Sequence, residues 1–287
     1  VIDNTLSYYL SVEGKDKTSL NYCKLIASMI EFYLKLDNYK IDREGYIRRV
    51  LLGQATDLEF QEFIRNYKIE VEVPRCVFVI QTEMMKADEI YNILSKAFPK
   101  EQEDFLVLMD SRTVALIKNV PDEMDEEELV QLAAAINETV LNETFLKINV
   151  GIGRCKDTVY EIQESYLEAI ESIEIGAIYD PESKVYMYDA LLLERFLSEV
   201  PDEISRKYYK NIFNDELKKI LNEEMIATIE KFFENNLNLS ETARQLYIHR
   251  NTLVYRLDKI QKVLGLDLRN FRDALTFKIM MMLERQN

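Results

Sequence analysis

Strand-forming runs occur in only one part of this chain, and their order limits the folds open to it. Apolar, β-branched segments stand at Cys76–Ile80, Phe105–Met109, Thr113–Lys118, Leu146–Ile152 and Val185–Tyr188. Helical periodicity separates them at Ala87–Phe98, Asp125–Leu141 and Thr158–Ile175. Pro99 stops the first of these helices and Gly176 is expected to close the last. Asp110-Ser111-Arg112 leaves room only for a tight hairpin turn. Gly151 and Gly153 are read as a turn at a strand end, since no Lys-Ser/Thr follows to make a phosphate loop. The order β-α-β-β-α-β is the ferredoxin-like split unit, with helices expected on one face of an antiparallel sheet.

On both sides the pattern is helical. Before residue 73, Leu20, Cys23, Ala27, Ile30 and Leu34 recur at helical spacing. Shorter amphipathic pieces follow, one with Tyr46, Ile47, Val50 and Leu51, the other with Phe60, Phe63, Ile64 and Tyr67. Core packing is the ordinary meaning of such stripes, and a dimer or signalling helix is the alternative. After residue 200 helices are expected at Asp215–Leu221, Glu224–Glu234, Ser240–Leu246, Arg250–Leu264 and Phe271–Glu284. The fold class is therefore α+β in three parts. Residues 1–72 form a helical lead-in or sensor remnant, 73–200 a sheet domain, and 201–287 an all-helical domain.

Several kinds of chemistry are poorly provided for. Cys23, Cys76 and Cys155 are scattered and odd in number, and His249 is the one histidine. Neither a disulfide framework nor a zinc site fits, and a reducing cytoplasm does. No cofactor or metal is expected. Apolar runs such as Ile279–Leu283 fall far short of a membrane span, and Val1-Ile2-Asp3-Asn4 does not begin a secretory signal. The formal net charge of −15 argues against nucleic acid as a partner, but only for the chain as a whole. Residues 222–287 hold 10 Lys+Arg and 9 Asp+Glu, leaving 26 against 42 elsewhere. The acidity lies outside the C-terminal helices.

Within those helices the run Asn238 to Leu257 has the pattern of a helix-turn-helix. Asn238 or Ser240 can cap a helix whose Leu239, Ala243 and Leu246 line one face. Ala243 is small enough for close approach. Tyr247-Ile248-His249 makes a short connection, with Ile248 plugging the core. A second helix then turns Leu253, Leu257 and Ile260 inward. It leaves Arg250, Asn251, Thr252, Tyr255, Arg256 and Lys259 outward. Arginine pairs with guanine, asparagine with adenine, and Thr or Tyr with phosphate. The DNA-facing set expected here is Ser240, Thr242, His249, Arg250, Asn251, Thr252, Tyr255, Arg256 and Lys259. A plain helical hairpin with a solvated charged face accounts for the same spacing.

The core Leu246-x-x-His249-Arg250-Asn251-Thr252-Leu253-x-Tyr255-Arg256-Leu257, with Leu264-Gly265 and Phe271-Arg272-Asp273-Ala274-Leu275 beyond it, resembles the C-terminal DNA-binding domain of the PucR/CdaR family. These are bacterial regulators of purine-catabolism and carbohydrate-diacid genes. The resemblance implies that Arg250, Asn251, Thr252, Tyr255 and Arg256 face DNA. It places His249 at the turn as a helix-start or phosphate contact, a purely structural role being the alternative. Tyr255 can equally be a packing residue.

In this family the preceding segment resembles a degenerate GGDEF domain. Val150-Gly151-Ile152-Gly153, and the helix with Ser165-Tyr166-x-x-Ala169, are similar to its late strand and helix. Active cyclases of that fold need metal-binding carboxylates and hairpin glycines. Here the turn is Asp110-Ser111-Arg112, and Gln81-Thr82-Glu83-Met84 follows the first strand, so no enzyme activity is expected. The implied function is a cytoplasmic transcriptional regulator, a homodimer on double-stranded DNA with paired half-sites. It would answer a small-molecule effector, for which a sugar acid is one candidate. The competing functions are a nucleotide-binding or cyclase-like palm protein with a packing-only helical tail, and an interaction protein that no longer binds DNA.

Overall fold

A computed structural model describes residues 17–38, 43–98, 104–120, 124–212, 217 and 220–285. The chain start, Pro99 and most of the expected 215–221 helix lie outside the described residues. Three helices come first, α1 (Lys17–Asn38), α2 (Arg43–Leu51) and α3 (Asp57–Tyr67). The mixed region follows as β1 (Arg75–Thr82), α4 (Ala87–Ala97), β2 (Phe105–Leu108), β3 (Thr113–Asn119), α5 (Glu126–Thr144), β4 (Ile148–Ile152), α6 (Ile162–Tyr179) and β5 (Val185–Met187). Helices then run to the end as α7 (Leu192–Ser198), α8 (Asp202–Ile212), α9 (Glu223–Glu234), α10 (Leu239–Gln245), α11 (Arg250–Leu264) and α12 (Phe271–Arg285). The strands stand in the order β2-β3-β1-β4-β5.

Among the described residues there are two compact units. The first holds everything up to Asp125, with Glu138–Ile148 and Cys155–Tyr166. The second holds Glu126–Asn137, Asn149–Arg154 and everything from Leu167 on.

In the first unit β1 pairs antiparallel with β3 from Arg75↔Asn119 to Gln81↔Thr113, and β2 joins β3 from Phe105↔Ile117. The hairpin turn between β2 and β3 is the expected one, and Asp110 Oδ1 accepts the Arg112 N–H at 2.7 Å. Cys76 through Ile80 are all buried, odd and even positions alike. A helical cover on one face would leave alternate residues wet, so the one-faced expectation is corrected: both faces of β1 are covered. The lead-in packs beside the neighbouring strand β2. Ile47, Val50 and Leu51 of α2 and Phe60 and Phe63 of α3 are buried, and Arg48 Nε donates to the Leu108 carbonyl of β2 at 2.7 Å. Thr56 starts α3 with a complete capping box, exchanging hydrogen bonds with Glu59. Of the predicted stripe on α1, Leu20 is exposed and Cys23 and Ala27 are half-buried, while the side chains of Ile30 and Leu34 lie outside the described ones.

In the second unit β4 and β5 run parallel, from Val150↔Val185 to Ile152↔Met187. The sheet is therefore mixed rather than wholly antiparallel. Gly176 does not close α6, which continues to Tyr179. A Cβ at Gly176 would sit 2.1 Å from Cδ1 of Tyr186. The glycine is a place of close approach to β5, and not a helix cap. The helical end of this unit has one continuous core of Leu217, Met225, Ile229, Phe232, Ala243, Leu253, Leu257, Ile260, Leu268, Phe277 and Met281. The last turns of α12 leave that core. Met282 and Leu283 pack with Ile175 and Tyr179 of α6 and Leu197 of α7.

Candidate nucleic-acid interface

The site is built from α9 to α11, and each junction has its own local cause. Asn222 caps α9 by accepting the Met225 N–H at 2.9 Å. Asn238, rather than Ser240, caps α10, accepting from the Ser240 and Glu241 N–H groups at 3.1 Å. α10 ends in a Schellman turn. The Ile248 N–H donates to the Ala243 carbonyl at 3.0 Å and the Tyr247 N–H to the Arg244 carbonyl at 3.2 Å. Tyr247 occupies the left-handed position of that turn, with φ +54°. Ile248 packs against the core beneath it, as its apolar spacing predicts.

His249 then caps α11. Its Nδ1 accepts the Asn251 N–H at 3.2 Å, so a neutral ring carries its proton on Nε2. Leu253, Leu257 and Ile260 face inward and Gly265 ends the helix. The spacing of the buried positions turns Asn251, Thr252, Tyr255 and Lys259 outward, and Arg250, in register with the inward set, is exposed because it stands in the first turn. Tyr255 is 69% exposed, so the packing alternative for its ring does not hold within this chain. Ser240 is exposed at the start of α10.

Two of the nine expected residues sit elsewhere. Thr242 is fully buried, and its hydroxyl donates to the Asn238 carbonyl at 2.8 Å. The side chain of Arg256 is only 17% exposed. Its Nη1 donates to Thr228 Oγ1 at 2.7 Å and its Nη2 pairs with Glu224, both on α9. Helical spacing turns Arg256 partly outward, but α9 stands close enough to take its guanidinium.

One exposed aromatic was not anticipated. Tyr247 is 96% exposed at the tip of the turn. A left-handed C-terminal position usually holds glycine, so a tyrosine there without a core role was the available signal. Arg244 also reaches the surface, its side chain 74% exposed while bonded to Glu241. That pairing draws the Glu241 carboxyl below its usual range and raises the Arg244 guanidinium. Asp258 is likewise occupied, 3.0 Å from Arg269. The acidic side chains of the hairpin are thus partly neutralised, and Arg250, Lys259 and Lys262 stand exposed.

A capped helix, a Schellman turn and a second helix that presents Arg, Asn, Thr and Tyr at its start define a helix-turn-helix, the DNA-binding class of fold. Residues 225–283 match the PucR C-terminal helix-turn-helix domain, and residues 52–175 match the GGDEF-like domain. The two matched regions make the chain similar to regulators of the PucR/CdaR type. It is 24% identical over 139 residues to the purine catabolism regulatory protein of Bacillus subtilis (strain 168), covering 48% of this chain and 26% of that one. It is 23% identical over 262 residues to the carbohydrate diacid regulator of Escherichia coli (strain K12), covering 85% and 66%. To the proline-responsive transcriptional activator PutR of Bacillus subtilis it is 27% identical over 205 residues, covering 68% and 49%. The chain thus spans between 26% and 66% of the length of these relatives. Among the described residues, no helix is long and apolar enough to cross a membrane.

Proposed function

We propose that this chain regulates transcription of catabolic genes by placing α11 in the major groove of double-stranded DNA. The exposed group Arg250, Asn251, Thr252, Tyr255 and Lys259 at the start of a firmly capped helix carries this reading. Arg250 and Asn251 read base edges. Ser240, His249, Thr252, Tyr255 and Lys259, joined by Tyr247 and Arg244, hold the phosphate backbone. Thr242 and Arg256 keep the hairpin in shape. One helix covers few base pairs, so a homodimer on paired half-sites is part of the proposal.

The division of labour follows the three-part reading, with residues 1–72 and 73–200 receiving and relaying an effector signal and 201–287 reading DNA. The relay is non-catalytic, because Asp110-Ser111-Arg112 brings neither the paired carboxylates nor the glycines of a cyclase hairpin. The names of the relatives favour a small metabolite as effector, a sugar acid among the candidates, and a cytoplasmic location.

The test is a titration of labelled upstream DNA at several salt concentrations. With Arg244 and Lys259 of each of two copies on phosphate, log Kd against log salt should have a slope of magnitude about 4. Binding without sequence preference or salt dependence would remove the proposal.

A further inference from the structure

Within the first unit, α2, α4 and β2 line a cavity of about 200 Å³ where the helical lead-in meets the sheet. A void of about 150 Å³ takes a benzene molecule, so this one has room for a ligand of roughly eight to ten heavy atoms. Its lining is of two kinds. Phe98, Phe105 and Leu106 supply apolar surface. Arg43, Glu44, Tyr91, Ser95 and Asp104 bring charges and hydroxyls to the same space.

The Arg43 guanidinium lies over the Phe105 ring, 4.2 Å from its centroid. Held against a ring face, its fork of N–H donors suits a carboxylate taken on two prongs. Burial draws that guanidinium below its usual value, an effect that an anion beside it would offset. Glu44 accepts the Tyr91 hydroxyl. Ser95 Oγ donates to the Asn92 carbonyl at 3.0 Å, so its lone pairs can accept. Asp104 accepts from Lys118 Nζ at 3.0 Å and from the Asn119 N–H at 2.8 Å. With Arg43 against Glu44 and Lys118 against Asp104, the site carries both signs of charge and no formal net charge.

We propose that this cavity binds a free α-amino acid with an apolar side chain, its carboxylate on Arg43, its ammonium on Glu44 and Ser95, and its side chain against Phe98, Phe105 and Leu106. A dicarboxylate would set its second charge against Glu44 or Asp104, and a simple amine would meet Arg43. A net-neutral molecule with separated charges satisfies both signs. The site deepens the effector reading of the proposed function and rests on it only for a regulatory consequence. A ligand here would bridge α2 of the lead-in to α4 and β2 of the sheet domain.

The experiment is calorimetric titration of the full chain, without DNA, with alanine, valine, leucine and proline. Isovalerate, which is valine without its amine, and glutarate are the comparison ligands. At least one amino acid should bind at one site per chain, and isovalerate and glutarate about tenfold or more weaker, the effect of one lost charged contact. Arg43→Gln should weaken amino-acid binding by a similar factor. Ser95→Leu, which fills the cavity from a half-buried position, should abolish it with an unchanged main thermal transition. Lys96→Ala, at an exposed neighbouring position, should bind as the unaltered chain does. No binding of these amino acids at millimolar concentration overturns the proposal. So does isovalerate bound as tightly as valine, or an affinity that survives both Arg43→Gln and Ser95→Leu. A chain that binds operator and no amino acid keeps the DNA-binding reading and removes this site. A chain that binds an amino acid here with unaltered operator affinity keeps the site and removes the relay.

Discussion

Arg256→Ala separates a reading residue from a holding one. Its guanidinium is largely buried and bonded to Thr228 Oγ1 at 2.7 Å and to Glu224. A hydrogen bond from a charged donor to a hydroxyl contributes about 1.5–3 kcal/mol. The Glu224 end is largely exposed, so that pairing adds only about 0.2–1 kcal/mol. Thr228 loses an incoming donor but keeps its own bond to the Glu224 carbonyl at 2.7 Å. No buried donor is then left without a partner. The sum is a loss of about 2–4 kcal/mol from the α9–α11 packing. Hydrogen exchange of the α11 amides in the full chain, with and without Thr228→Val, measures it. The two changes should be less than additive, because they break one bond. At a temperature where the variant stays folded, its operator affinity should fall less than about threefold. Arg250→Ala should instead cost about 1–3 kcal/mol of binding. Unchanged exchange in Arg256→Ala, together with a tenfold or greater loss of affinity, would refute this reasoning and return Arg256 to the DNA face.

Three further outcomes are expected. Tyr247→Gly should raise the thermal midpoint by relieving about 1 kcal/mol of left-handed strain while weakening DNA binding; an unchanged affinity excludes Tyr247 from the interface. Gly176→Ala should lower the midpoint by a few degrees or more, since its Cβ meets the Tyr186 ring and overpacking costs about 1–3 kcal/mol; a neutral result by calorimetry would show that β5 yields freely. Asp267 has its carboxyl drawn below the usual range by the Arg269 side chain, so its contribution is present above its unfolded value and lost as pH falls through the folded one. Asp267→Asn should accordingly flatten the acid limb of stability against pH in urea melts, and an unaltered limb would count against that pairing.

Much of the site was legible because its causes are local. Asn238, His249 and Gly265 act within a few residues of themselves, and the inward set Leu253, Leu257 and Ile260 follows from helical period alone. The hairpin at Asp110–Arg112 and its strands follow from turn chemistry and apolar runs. α1 marks the limit of that logic. Its stripe was evident, but periodicity states which face wants cover and not what lies over it.

By itself, then, the sequence determined where the helices of the reading head start and stop, which side chains turn outward from α11, and that the positive charge gathers in an otherwise acidic chain. Only the tertiary structure decided that Gly176 makes room for a ring ten residues on, that Thr242 is core, and that Arg256 holds α9 through Thr228, 28 residues away. The reason is physical. Caps and periodicity are set by backbone bonds and side chains within one or two turns, whereas the partner of a long flexible cation depends on which distant helix packs within reach.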